Sequence, residues 1–142
     1  MTKYFSKLDE NNIVVNCVVV SDSDAPDEAT GQTYLRNHTN DSTSVWKETI
    51  KENGGNCFRG NQGGIGCTYM TGVRTMGVAS TDIFIEQQPF PSWSIGINTA
   101  EWYPPNPPGE RPYVGIDSTG WYEWSESNYN TDPTTAWVFK TD

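Results

Sequence analysis

Proton transfer at neutral pH relies on histidine more than on any other side chain, and this chain has one, His38, in the polar run Arg36-Asn37-His38-Thr39-Asn40-Asp41. A histidine in that setting reads as a solvent-exposed loop residue. Thiolate catalysis by Cys17, Cys57 or Cys67 would need it as a partner. The three cysteines include no C-x-x-C pair and read as buried free thiols, with a Cys57–Cys67 bridge across a glycine-rich loop as the alternative. No nucleophile elbow, phosphate loop, zincin helix or paired-cysteine zinc spacing occurs. Asp22, Asp24, Asp27 and Glu28 cluster as oxygen ligands do, but Pro26 stands where a calcium loop places its third ligand. They read as turn charges, with a loose calcium site at Asp22, Asp24 and Asp27 as the alternative. A glycosidase would need a pair of carboxylates flanking a sugar site, and no frame for one is visible. The expectation is a non-enzyme with no catalytic residue, cofactor or bound metal.

What remains is the chemistry of binding. The chain holds 6 Trp, 7 Tyr and 5 Phe among 142 residues, and each aromatic ring buries far more area than a valine. Residues 89–109, PFPSWSIGINTAEWYPPNPPG, concentrate two tryptophans and six prolines around a single carboxylate, Glu101. Such a stretch either packs or binds. Trp93 and Trp102 flank Gly96-Ile97-Asn98-Thr99, so the spacing predicts a hairpin whose two indoles face each other. The proline run Pro104–Pro108 predicts an extended spacer. Similar spacing puts Tyr113 before a turn leading to Trp121, and Trp124 before YNTDPTT and Trp137. The candidate partner-binding residues are Trp93, Trp102, Tyr103, Trp121 and Trp124, with Phe58 and Arg59 in the glycine-rich loop.

Composition narrows the partners. The formal charge is −9 with nine scattered Lys and Arg, which repels phosphate backbones and argues against nucleic acid. The opening MTKYFSKLDENN has no apolar leader core and no run approaches a membrane span, so synthesis in a cytoplasm and no membrane contact are expected. The two N-x-[ST] sequons, at Asn37 and Asn40, carry no weight in that compartment.

The elements that must position these residues read as mainly β. KYFSKLD (3–9) and IVVNCVVV (13–20) form a hairpin about Asp9-Glu10-Asn11-Asn12, and the β-branched density of the second run marks it as the most buried strand. A short helix over 27–37 follows, capped by Asp24 or Asp27. VWKETI (45–50) is a strand. Six glycines within residues 54–66 predict a tight loop needing positive φ or close approach, before strands at 65–69 and 83–85. From residue 89 the texture changes, so the expected organisation is a β-rich domain over 1–88 and a Trp/Pro-rich hairpin extension over 89–142. The fold class is a small antiparallel sheet domain with one short helix, followed by those hairpins.

YFSKLDENNIVVNCVVVSD, VWKETI, NCFRGNQGGIGCTY and DIFIEQQPFPSW with a second Trp nine residues on together resemble small virion proteins of tailed phages, especially those of marine cyanobacteria. The likeness runs in order from Tyr4 to Trp137; the 70–82 loop and YNTDPTT are longer here than in that pattern. The resemblance implies a multi-copy structural component of the virion whose partners are other virion proteins. It leaves open an accessory decoration or cement component of the capsid, or a tail, baseplate or fibre component touching host glycans through its aromatic hairpins.

Overall fold

The computed structural model describes residues 1–51, 58–74, 80–96 and 99–142. In chain order the elements are β1 (Thr2–Leu8), β2 (Val14–Ser21), α1 (Glu28–His38), β3 (Val45–Thr49), β4 (Thr68–Met70), β5 (Ile83–Ile85), β6 (Ser94–Gly96), β7 (Glu101–Tyr103), β8 (Trp121–Trp124), α2 (Glu126–Thr131), a 3₁₀ turn (Pro133–Thr135) and β9 (Trp137–Lys140). The protein is mainly β, and its described residues form one three-stranded and three two-stranded sheets. Among the described residues no helix is long and apolar enough to cross a membrane.

The chain divides into two compact units. Unit one comprises Met1–Gln87 with Gly96–Glu101, and unit two Gln88–Ile95 with Trp102–Asp142. The expected break after residue 88 falls one position earlier, and the tip of the β6–β7 pair is counted with unit one.

In unit one the sheet order is β2-β1-β3, with Phe5 opposite Val18 and Glu48. Strand alternation sends Phe5, Val20 and Trp46 to one face, where they pack with Ala25 and with Leu35 of α1. Leu8 and Val14 go to the other face and meet Tyr69 and Phe84 from the β4–β5 pair. Burying each large side chain contributes about 1.5–3 kcal/mol. Asp27 caps α1 by accepting the Thr30 N–H, as the acidic link predicts. Gly31 is buried on α1, and a Cβ there would press into the Phe5 ring and stand 2.9 Å from the Ala25 Cβ, so glycine sets how closely the helix approaches the sheet.

β2 corrects one expectation. It lies at the sheet edge, with Val15 and Val19 47% and 57% exposed and Cys17 exposed as well. β-Branched density reports that a segment extends; the strand order, which places β1 at the centre, decides which strand is buried. The glycine-rich loop behaves as its composition requires where it is described. Gly60 and Gly66 adopt φ of +74° and +95°, and a Cβ on Gly63 would stand 2.6 Å from the Phe84 ring. Cys57, and with it the proposed Cys57–Cys67 bridge, lies outside the described residues. Cys67 is a half-buried free thiol.

Unit two departs from a string of three hairpins. The β8–β9 ladder pairs Trp121 with Lys140 through Trp124 with Trp137, but its connection holds α2, capped by Ser125 accepting the Asn128 N–H, and the 3₁₀ turn. Residues 110–120 pair in no strand. The proline run turns instead of extending: Gly109 N–H donates to Pro105 O at 2.9 Å, with Gly109 at φ +87° and cis bonds at Asn106–Pro107 and Pro107–Pro108.

Candidate functional site

In β8 and β9, period-2 alternation places Tyr122, Trp124, Trp137 and Phe139 on one face of a two-stranded ladder. Trp124 lies directly opposite Trp137 and Tyr122 opposite Phe139. Their rings meet edge to face, with centroids 5.1 Å apart at 82° and 5.2 Å apart at 71°. The segment 88–95 adds Phe90 and Trp93, whose ring lies 5.5 Å from that of Trp124 and 6.0 Å from that of Trp137. Perpendicular rings align the positive edge of one with the negative face of the next, worth about 0.5–1.5 kcal/mol per pair beyond buried area.

Polar atoms lock the cluster in place. Glu126 accepts from Trp124 Nε1 at 2.8 Å, from Ser92 Oγ at 2.7 Å and from the Ser92 N–H at 3.1 Å. Desolvation pushes the Glu126 carboxyl up, but the bonds from Trp124 and Ser92 outweigh it and hold the group below the usual carboxylate range. Trp137 Nε1 donates to Gly109 O at 2.9 Å, fastening the end of the proline turn. Trp93 Nε1 is buried without an acceptor, so ring packing holds that side chain.

Beside the cluster lies a cleft of about 420 Å³, a volume suited to a small ligand. Phe90, Trp93, Trp124 and Trp137 line it together with Trp121, Tyr122, Arg111 and Glu123. The Arg111 guanidinium lies 5.4 Å from the Trp137 ring centre. Trp121, 39% exposed, donates its Nε1 proton to Glu123 Oε1 at 2.9 Å. The cleft therefore combines aromatic surface with a cation and an anion, each tied to a tryptophan.

Unit one holds a second polar constellation. Arg59 is 8% exposed at φ +55°. Its guanidinium pairs with both oxygens of Glu28, donates to Glu48 O at 2.9 Å and lies 5.4 Å from the Tyr69 ring centre. Burial alone would raise the Glu28 carboxyl, but the Arg59 bonds and the Glu48 N–H lower it; burial depresses Arg59, and Glu28 more than restores it. Tyr69 donates to Asp82, and burial followed by that bond pushes the phenol well up. This network ties α1 and β3 to the glycine-rich loop.

The expected contact residues thus scatter. Trp93 and Trp124 join one cluster, with Trp121 at its cleft. Trp102 and Tyr103 stand half-buried on β7, and Trp93 meets the rings of Trp124 and Trp137 edge-on. Phe58 is half-buried, 4.8 Å from the Arg59 guanidinium. Arg59 itself serves the interior, because a carboxylate 31 positions away captures it. Asp22 pairs with Lys3, Asp24 accepts from Ser21 Oγ and Asp27 caps α1. Among the described residues no group of three His, Cys, Asp or Glu is placed to hold a metal. His38 is at the end of α1, stacked 5.4 Å from Tyr34. Phe90, Arg111, Tyr122, Glu123, Glu126 and Trp137 were missed as site residues; the alternation W-Y-E-W against W-V-F-K is the signal that could have found Tyr122. No family model, curated protein or solved structure matches the chain.

Proposed function

We propose that the protein is a non-enzymatic structural component of a tailed-phage particle, an accessory of the decoration or cement type held in many copies on a protein lattice. The observation that carries this reading is the apolar surface of unit two: Tyr113 and Ile116 are 84% and 91% exposed on the unpaired stretch 110–120, and Phe139 is 47% exposed. Tyr113 and Ile116, three positions apart and each more than four-fifths exposed, offer a partner apolar contact area. A partner that covers them would also supplement an apolar fraction of only 35%. The motif likeness supports the virion setting, and the acidic charge keeps copies soluble before assembly. The second reading, a tail, baseplate or fibre component meeting host glycans, draws its support from the aromatic cleft.

Co-sedimentation with purified empty capsids and, separately, with isolated tails tests both readings. Saturable binding of many copies per capsid is expected. A few copies on tails alone would favour the second reading, and binding to neither would overturn both.

A further inference from the structure

The geometry points to the cleft of unit two as a binding site for an uncharged sugar, a pyranose ring that lays its C–H face on tryptophan and turns its hydroxyls to Arg111 and Glu123. The inference goes beyond particle attachment and stands whichever part of a particle carries the protein.

Three observations converge on that ligand class. The walls are aromatic and already packed: Trp93, Trp124 and Trp137 brace one another edge to face, so a ligand meets ring surface that need not be ordered on binding. Trp121 is exposed yet held through its Nε1 bond to Glu123. The polar lining is mixed. Arg111 offers only donors and Glu123 only acceptors, which together suit hydroxyl groups, since each hydroxyl donates and accepts.

Charge removes the competing classes. A quaternary ammonium ion favours an aromatic cage, but here the Arg111 guanidinium already lies over Trp137 and would repel it. An acidic sugar meets a unit in which Arg111 and Lys140 stand against Glu110, Asp117, Glu123, Glu126, Asp132 and Asp142. A neutral ring that is apolar on its face and polar at its edge satisfies both ends of the site. A cleft of about 420 Å³ has room for one such ring with its substituents.

The test is binding of the full-length protein to an array of neutral gluco-, galacto- and manno-configured oligosaccharides beside uronate-bearing, sialylated and sulfated ones. The best neutral oligosaccharide is then titrated by tryptophan fluorescence. Saturable binding to a neutral set is expected. Trp121→Ala and Arg111→Ala should each weaken it by at least about tenfold, the scale of an aromatic or arginine anchor. Tyr113→Ala, outside the cleft, should leave it unchanged, and near-UV circular dichroism should report the ring cluster intact in all three. A blank neutral set, a preference for acidic sugars, or binding indifferent to both cleft variants would overturn the inference, as would hexaproline peptide occupying the cleft in preference to any sugar. A blank array with capsid co-sedimentation intact would leave particle attachment standing.

Discussion

In unit one, side chains from three strands are buried between α1 and the β4–β5 pair, and charge is handled internally, with Arg59 held by Glu28 beneath the sheet edge. In unit two, two-residue-period aromatics on a four-residue ladder meet rings from segment 88–95, and charge stays at the rim, where Glu126 and Glu123 accept indole protons. The contrast teaches how a chain poor in aliphatic residues makes two kinds of interior. The first depends on layered sheet and helix. The second depends on ring geometry and needs little regular structure. Both leave apolar side chains facing solvent, among them Val19 and Ile65 in unit one and Tyr113, Ile116 and Phe139 in unit two; binding is assigned to the second because its exposed side chains are aromatic-rich and lie in the unit that holds the aromatic cleft.

The largest effect expected is from Trp124→Ala, since Trp124 touches Phe90, Trp93, Tyr129 and Trp137. Its loss should cost about 3–5 kcal/mol. Hydrogen exchange followed by mass spectrometry should show lost protection in 102–142 with β1–β3 amides still protected. Loss of protection in both units together would break the comparison.

Arg59→Ala comes next. Removing one partner of a buried pair costs about 3–5 kcal/mol, but the Glu28 side chain is 30% exposed, and resolvation of that carboxylate lowers the expected cost to about 2–3 kcal/mol. The urea midpoint of the β1–β3 amides, followed by NMR, should fall while the β8–β9 amides hold theirs. An unchanged β1–β3 midpoint would mean that the pair is not what joins α1 to the sheet.

Gly31→Ala sharpens the account of the helix–sheet layer. The added methyl meets Phe5 and Ala25, so overpacking should cost about 1–3 kcal/mol, against the slight gain that alanine brings to a helix with room for it. A stabilised variant would show that α1 can lift without loss.

Acid should produce the smallest effect. The folded-state pKa of Glu28 is lowered, so its contribution is fully present above the unfolded value near about 4.3 and is lost as pH falls through the folded value. Glu48 acts with the opposite sign: burial, then the Glu28 charge, raises it, so its protonation relieves the folded state. Glu28→Gln should therefore flatten the acid fall of the unit-one midpoint between pH 6 and pH 3. An acid slope equal to that of the unaltered chain would place the titrating group elsewhere.

Much of unit one was legible in the sequence because its signals are local. Turn residues Asp9–Asn12 separate two alternating runs, Asp27 stands where a cap must, and the glycines mark the tight loop; β1, β2, α1, β3 and β5 appear within a residue or two of where the residues place them. In unit two the tryptophans read as staples, but hairpin spacing reaches no further than Trp93 and Trp102, so the edge-on contacts of Trp93 with Trp124 and Trp137 lie beyond what sequence proximity can show. α2 was hidden because ESNYNT has weak helix formers and buries no residue, leaving only the Ser125 cap as a sign.

By itself the sequence determined that the chain is mainly β, that its texture changes near residue 88 and that its aromatics gather toward the end, since composition, period and capping act over a few residues. The tertiary structure alone decided that β2 lies at an edge, that Arg59 is drawn inside by Glu28, and that Trp93 and Trp124 share a wall of one cleft with Arg111 nearby. Each of those outcomes joins residues tens of positions apart. Strand order, ion pairing and ring packing are selected by the free energy of the whole assembled unit, which no short window of residues contains.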